Sequence, residues 1–235
     1  MTVGVADDIR AKAKDTFGSD WSTRKGTSVP APEDLTLSND AVHLVSAALL
    51  YADLDQSTAL VQHKKWWFAA EVYKSFLYAT ARLINDEGGT IVSYDGDRIM
   101  GIFIGKTPCN DAARCGLKVN YAVKRIVQPE LNARYGTGEN GYSIRHVVGI
   151  DVSDIRAART GVRGDNDIVW VGNAANVAAK LTTLSADRPT RITKAVYNKL
   201  NDEQKFSNGR NMWVQRSWTA RNDETIYAST WTWRF

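Results

Sequence analysis

Residues 90–103, TIVSYDGDRIMGIF, contain two short β-prone runs that flank Asp95-Gly96. An Asp-Gly pair between such runs is a strong signal for a two-residue β-hairpin turn. Asp97 follows this pair directly. The sequence therefore predicts two antiparallel strands with a carboxylate beside their turn.

A second acidic strand end precedes the hairpin. Residues 42–54, VHLVSAALLYADL, form an apolar run typical of a buried strand that ends at Asp53. Side chains two apart in a strand share a face, so Tyr51 lies on the face of Asp53. A helical pattern over 57–85 connects this strand to the hairpin. We expect Asp53 and Asp97 to converge on one sheet.

The remaining patterns add helices and strands that do not repeat as βαβ units. They are a helix after Pro108, a strand over 143–152, a helix over 173–184, a short helix near 193–200, and tryptophan-rich strands over 212–219 and 224–233. Mixed antiparallel strands and helices predict an α+β fold of the ferredoxin-like type, with an antiparallel-rich sheet. We expect residues 1–40 to form a polar N-terminal arm and residues 41–235 a single domain.

Composition narrows the class of protein. Apolar residues make up 43% of the chain and charged residues 24%, which is ordinary globular usage. No run resembles a signal peptide or a membrane span, so we expect a cytoplasmic protein with no membrane partner. The net charge of +4 suits an anionic partner. The basic residues are not clustered, which argues against nucleic acid, although charge alone leaves a nucleic-acid-binding module open. Cys109 and Cys115 lack zinc-ligand spacing, and we expect idle thiols.

Paired carboxylates without a neighbouring His or Cys favour a hard cation such as Mg²⁺ or Mn²⁺, with phosphate oxygens completing the shell. Taken alone, an acid at a strand end is more often solvated. A third motif adds weight: residues 170–181, WVGNAANVAAKL, predict a helix on which Asn176 and Lys180 lie four apart on one face. The alternative is an alanine-rich packing helix with a solvated lysine.

Together, three motifs resemble the catalytic domain of class III adenylate and guanylate cyclases. They are LYADLDQST at 50–58, GGTIVSYDGDRIMGIF at 88–103 and VGNAANVAAKL at 171–181. The resemblance implies a nucleoside triphosphate substrate and a head-to-tail homodimer with composite active sites. In such a dimer, Asp53 and Asp97 of one subunit work with Asn176 and Lys180 of the other.

The resemblance also assigns site residues. The metal ligands are Asp53, the carbonyl of Leu54 and Asp97, which hold two Mn²⁺ or Mg²⁺ ions; Ser57 and Thr58 form a phosphate-binding turn; Asn176 orients the ribose; and Arg221 contacts the triphosphate. Lys180 occupies the place of the family's transition-state arginine. Lysine keeps the positive charge but lacks the planar fork of arginine, which puts catalytic efficiency in doubt more than activity.

The positions that read the base depart from purine cyclases. Those enzymes place Lys or Glu where Ser93 lies, and Asp or Cys where Val169 lies, so neither purine code is present. Tyr51 either shrinks the pocket toward a single-ring base or is simply a large core residue. A serine hydroxyl can serve either pyrimidine base, because it both donates and accepts.

These departures resemble the pyrimidine cyclases of bacterial Pycsar antiphage defence. The resemblance implies conversion of UTP to cyclic 3′,5′-UMP, with the product read by a separate cyclic-nucleotide effector. Several alternatives stay open at this point: a cytidylate cyclase, an adenylate or guanylate cyclase, a diguanylate-cyclase or polymerase-palm relative, and a degenerate nucleotide-binding domain.

Overall fold

The computed structural model describes residues 4–137 and 141–235. Its helices are α1 (Val5–Gly18), α2 (Ser57–His63), α3 (Trp66–Asp86), α4 (Pro108–Ala122), α5 (Gln128–Tyr135), α6 (Asn173–Leu181), α7 (Lys194–Lys199) and α8 (Asp202–Lys205). A π-helical segment, Val123–Val127, joins α4 to α5, and 3₁₀ turns cover Pro32–Asp34 and Thr219–Arg221.

The strands are β1 (Ser22–Lys25), β2 (Asp40–Leu54), β3 (Thr90–Asp95), β4 (Arg98–Phe103), β5 (His146–Val162), β6 (Asp165–Val171), β7 (Thr190–Thr193), β8 (Phe206–Ser207), β9 (Arg210–Asn211), β10 (Val214–Trp218) and β11 (Glu224–Ser229). Nine of them form one sheet with the path β10-β11-β7-β5-β2-β4-β3, to which β1 is added on β2 and β6 on β5. Among the strand pairs of the described residues, β5–β7 and β1–β2 are parallel and the others are antiparallel. The predicted α+β fold with a mostly antiparallel sheet is confirmed.

Alternating side chains of β2 separate two hydrophobic cores. Ala48, Leu50 and Ala52 lie in the core that α3 and α4 cover. Leu49 and Tyr51 face the opposite side, where the alanines of α6 pack against them and against Met100. Because strand residues alternate between faces, Asp53 lies on the α6 side. The strand that was expected to be buried is thus covered on both faces.

The hairpin turn lies one residue later than the sequence indicated. We expected Asp95-Gly96 to form the turn, but Asp95 pairs with Arg98, so Gly96 and Asp97 are its two central residues. Gly96 has φ +60°, and type II′ hairpin turns place glycine at this first central position. Asp97 is therefore part of the turn itself and not the first residue after it.

The largest departure from the predicted strands follows residue 152. The strand expected over 143–152 begins at His146 and continues to Val162, and β6 then returns along it as an antiparallel partner. We did not predict β6, because its first residues are Asp165, Asn166 and Asp167, which are rare in strands. The end of the β5–β6 hairpin lies beside α1, because Val162 lines a pocket with residues of that helix.

Other elements follow the predicted pattern with shifted ends. The helical pattern over 57–85 forms two helices, α2 and α3, as the sequence allowed. The helix expected over 173–184 ends at Leu181. Both cysteines are free and buried, and burial raises the pKa of the Cys109 thiol to about 11. Within the described residues, no helix is long and apolar enough to cross a membrane.

The first forty residues combine an exposed helix with a paired strand. No residue of α1 is buried, and Lys12 Nζ donates a hydrogen bond of 2.7 Å to the Leu37 carbonyl. In contrast, β1 adds to the sheet, because Ser22–Lys25 pairs in parallel with Asp40–His43 of β2. Only part of this segment therefore stands apart from the sheet.

Close packing of α6 on β5 gives a stability prediction. A Cβ added at Gly149 would overlap the Ala178 backbone carbonyl and lie 2.7 Å from Leu181 Cβ. Backbone at this contact has little room to move, so we expect Gly149→Ala to lower the free energy of unfolding by about 1–3 kcal/mol. Urea denaturation would measure the loss. Gly18→Ala is the control, because nothing lies within 4 Å of its added Cβ, and an equal loss in both variants would refute the packing account.

Candidate active site

The two predicted carboxylates meet at one end of the sheet. Asp53 is the penultimate residue of β2, and Asp97 lies in the β3–β4 turn. Burial, followed by the charge of the Asp97 carboxylate, raises the pKa of Asp53 to about 6, which shows that the two carboxylates lie next to each other. Asp97 Oδ2 is buried and has no hydrogen-bond partner within the described chain. The pair is electrostatically strained as it stands.

This arrangement fits a divalent cation. Buried carboxylate oxygens require a hydrogen-bond donor or a cation, and like charges in contact require a positive neighbour. In the residues that the structure describes, no group of three or more His, Cys, Asp or Glu side chains forms a metal cluster. The pair alone would therefore leave coordination positions for a backbone carbonyl, water and phosphate oxygens, as Mg²⁺ sites commonly do.

Two polar side chains, those of Thr182 and Arg98, lie near Asp53, but neither is placed to donate a strong hydrogen bond to its carboxylate. The Thr182 hydroxyl, just after α6, lies 3.5 Å from Asp53 Oδ2 but donates its proton to the Ala179 carbonyl at 2.8 Å. Arg98 Nε lies 3.4 Å from the same oxygen, close enough for an ion pair. Arg98 Nε nevertheless has no hydrogen-bond partner.

Tyr51 and Ser93 lie one row further along the same face. Both residues are opposite Met100 of β4, Tyr51 on one side and Ser93 on the other. A bulge between Ile91 and Ser93 turns Ser93 onto this face. Tyr51 is half-buried, and burial raises the pKa of its phenol. The aromatic ring and the hydroxyl thus line a shallow surface next to the carboxylate pair.

The residues after Asp53 border the site on its other side. Leu54 is buried and follows Asp53 directly in β2. Ser57 and Thr58 begin α2, and Tyr73 of α3 lies near Ser57. Burial and then the Asp97 charge raise the pKa of Tyr73, which places this phenol near the carboxylates.

Four predicted site residues lie away from the carboxylates. Asn176 and Lys180 are exposed on the outer side of α6, and neither side chain forms a hydrogen bond or ion pair within residues 4–137 and 141–235. Val169 is exposed on β6, opposite Ala158. Arg221 lies in the turn before β11, with its Nε 2.8 Å from Glu224 Oε2. One chain does not assemble all the predicted side chains into one site.

Three residues that surround the pair were not predicted from the sequence: Tyr73, Arg98 and Thr182. Arg98 could have been found, because it directly follows Asp97 in the motif of residues 88–103. Tyr73 lies on α3, and the apolar pattern alone does not indicate which side of this helix faces the carboxylates. Thr182 lies just beyond a helix whose end we predicted too late.

A buried histidine at the base of the site gives a pH prediction. His146 pairs with Leu54, its Nε2 has no hydrogen-bond partner, and burial lowers its pKa to about 3. The unfolded chain takes up a proton below about pH 6.5 and the native chain does not, so stability falls with decreasing pH from there to about pH 3.

We expect this histidine to contribute a slope of roughly 1.4 kcal/mol per pH unit in that window. Urea unfolding between pH 4.5 and 7.5 would measure it against His146→Gln, which cannot titrate. The variant should show a shallower acid limb. Parallel limbs for the two proteins would exclude His146 as the source.

Known proteins resemble this chain in sequence and in fold. No protein-family model matches it. A uridylate cyclase of Burkholderia cepacia is 51% identical over 98% of this chain and 99% of its own length. A uridylate cyclase of Xanthomonas perforans is 47% identical over 99% of each chain. These alignments extend from the first helix to the last strand.

A solved structure supports the fold independently. The adenylyl cyclase CyaB of P. aeruginosa superposes with a TM-score of 0.67, covering 83% of this chain and 97% of that one at 15% identity. That likeness concerns the fold, which is the class III cyclase fold that the three motifs implied. The identity over nearly the whole chain, together with the carboxylate pair, shows that this protein is a nucleotidyl cyclase belonging to the uridylate cyclase family.

Proposed function

We propose that this chain converts UTP to cyclic 3′,5′-UMP and pyrophosphate, using two divalent ions, Mn²⁺ or Mg²⁺, in each active site. The observation that carries the proposal is the contact between Asp53 and Asp97, with one buried oxygen of Asp97 left without a partner. It occurs in a chain half identical to proteins named uridylate cyclase. The names of these relatives favour uridine over cytidine.

Asp53, Asp97 and the Leu54 carbonyl would hold the ions. Bound there, the ions would make the 3′-hydroxyl more acidic and neutralise charge on the triphosphate. The 3′-oxygen attacks the α-phosphorus in line, the bond from that phosphorus to the bridging oxygen breaks, and pyrophosphate carries away the electron pair. The protein mainly positions the reactants and supplies opposing charge.

The exposed face of α6 supports a composite site in a head-to-tail homodimer. Asn176 and Lys180 make no polar side-chain contact with the described residues of their own subunit, and a second subunit would bring them over Asp53 and Asp97. Asn176 would then orient the ribose, and Lys180 would neutralise charge that develops at the α-phosphate. Ser57 and Thr58 would contact the phosphates, and Arg221 would reach the triphosphate after exchanging its Glu224 partner.

Tyr51, Ser93 and Val169 would read the base. The half-buried Tyr51 ring occupies part of the face next to the carboxylates, and Ser93 lies on the same face. Neither Ser93 nor Val169 supplies the paired donor and acceptor that a purine edge requires, and a buried unmatched polar edge is costly. We therefore assign this surface to a single-ring base.

In the cell, we propose that cyclic UMP acts as a second messenger in antiphage defence and is read by a separate effector. This rests on the resemblance to the Pycsar pyrimidine cyclases. The reaction would take place in the cytoplasm, where UTP is supplied. Residues 41–235 would form the cyclase domain; within residues 1–40, β1 adds to the sheet of that domain and α1 would form the arm attached to it.

The reaction is tested by stoichiometry. Purified protein incubated with UTP and Mn²⁺ should release pyrophosphate and cyclic UMP in equal amounts, measured by enzyme-coupled assay and by mass spectrometry. A chelator in excess should stop both. Release of inorganic phosphate, UDP or UMP in place of these products would show a hydrolase and not a cyclase.

A further inference from the structure

Arg98 is the one cation beside the carboxylate pair in the described chain, and its geometry does not match a structural ion pair. It follows Asp97 directly and lies opposite Asp95 of β3, on the face that carries Asp53. Its Nε lies 3.4 Å from Asp53 Oδ2, yet this buried Nε donates no hydrogen bond. Arg145 and Arg221, in contrast, each place Nε 2.8 Å from a carboxylate oxygen and donate a hydrogen bond to it.

The guanidinium also remains accessible. The Arg98 side chain is 36% exposed, whereas Asp53 is 20% exposed. Its charge reaches Tyr51 as well, since Arg98 counteracts the effect of burial on that phenol. Arg98 is thus placed between the carboxylate pair and the surface proposed for the base, with its outer nitrogens free to meet a ligand.

The charges around the pair make metal binding dependent on a second ligand. Asp53 and Asp97 together carry two negative charges, and the guanidinium cancels one of them. Divalent ions placed on the pair would meet a fixed positive charge a few ångströms away, which opposes their binding. An anionic triphosphate reverses this relation, because its oxygens attract both the ions and the guanidinium.

We propose that Arg98 couples metal binding to triphosphate binding: it keeps the carboxylate pair from holding divalent ions tightly alone, and it moves to a phosphate oxygen when the nucleotide arrives. This rests on the proposed function, because it assumes that Asp53 and Asp97 hold the ions. Arg98 is a positioning residue for the free site and a phosphate contact in the loaded one.

The coupling is measured by Mn²⁺ binding, which requires no turnover. Isothermal titration calorimetry gives the Kd of Mn²⁺ for the intact protein, first alone and then with a UTP analogue whose α,β bridging oxygen is a methylene group. We expect R98Q to bind Mn²⁺ alone at least about fivefold more tightly than wild type. In the presence of the analogue, this advantage should disappear, so that the ratio of the two Kd values falls.

Three companion variants make the result specific. R98K keeps the charge and should retain most of the coupling. R82Q removes an exposed arginine from α3 and should bind Mn²⁺ as wild type does. Asp97→Asn should bind Mn²⁺ much more weakly. Thermal melts of all variants confirm folding before titration, and the KM of R98Q for UTP should rise at least about tenfold.

The possible results distinguish an error in the role of Arg98 from an error in the proposed metal site. If folded R98Q binds Mn²⁺ no more tightly than wild type while Asp97→Asn loses binding, the metal site stands and the role of Arg98 is wrong. If R82Q tightens binding equally, the effect is one of net charge and the inference fails. If Asp97→Asn binds Mn²⁺ as well as wild type, the proposed metal site fails and the inference fails with it.

Discussion

Asp97→Asn is expected to lower the turnover of UTP by at least about a thousandfold, because a metal-held carboxylate supplies several kcal/mol of transition-state stabilisation. Asparagine preserves the shape of the side chain but removes its charge. It also removes the repulsion that helps to raise the pKa of Asp53. The variant should therefore unfold at the same temperature as wild type or at a higher one, so that the loss of activity is not a loss of fold.

The matched control is Asp95→Asn, on the same hairpin and exposed to solvent. It changes the net charge by the same amount, and we expect a change in turnover of less than about tenfold, because an exposed charge is well screened. Cyclic UMP formation followed by mass spectrometry distinguishes the two variants. Comparable activity in Asp97→Asn and wild type would remove Asp97 from the reaction.

Mixing two inactive variants is expected to restore activity. Lys180→Ala should lose at least about a hundredfold in turnover, since it removes charge that opposes the developing negative charge. In a mixture with Asp97→Asn, a heterodimer has one intact site, formed by the carboxylates of the lysine variant and the lysine of the aspartate variant. Random assortment gives roughly half heterodimers, so activity should reach about a quarter of wild type.

A second mixture tests whether the site is composite. Asp53→Asn combined with Asp97→Asn should stay inactive, because each site takes both carboxylates from one chain. Co-expression with two different tags allows the heterodimers to be isolated before assay. Rescue in both mixtures would show that Asp53 and Asp97 of one site come from different chains, which contradicts the account. Absence of rescue in the first mixture would place Lys180 and the carboxylates of one site in the same subunit.

The position of the carboxylate pair could be predicted from the sequence better than the residues that surround it. Asp53 and Asp97 could be placed together because a strand end and a hairpin turn restrict where a side chain can lie. The α+β class also followed from the pattern of strands and helices. The turn was misplaced by one residue because Asp95-Gly96 and Gly96-Asp97 both suit a hairpin, and only the strand pairing distinguishes them.

What could not be predicted depends on long-range packing. The approach of Thr182 to Asp53 joins residues far apart in the chain, and it depends on how closely α6 packs on Gly149. The strand β6 was missed because pairing with β5 outweighs the poor strand preference of its acidic residues. The strain at Asp97 is likewise a property of the folded chain, since it depends on which oxygens find a donor.

Cyclisation of a pyrimidine triphosphate can be tested by competition between nucleotides. The protein is incubated with equimolar ATP, GTP, CTP and UTP in the presence of Mn²⁺, and the cyclic products are quantified by mass spectrometry beside an Asp97→Asn sample. We expect cyclic UMP in at least about tenfold excess over every other cyclic nucleotide, and none from the variant. Predominant cyclic AMP or GMP would contradict the assignment of Tyr51, Ser93 and Val169, and predominant cyclic CMP would contradict the choice of uracil.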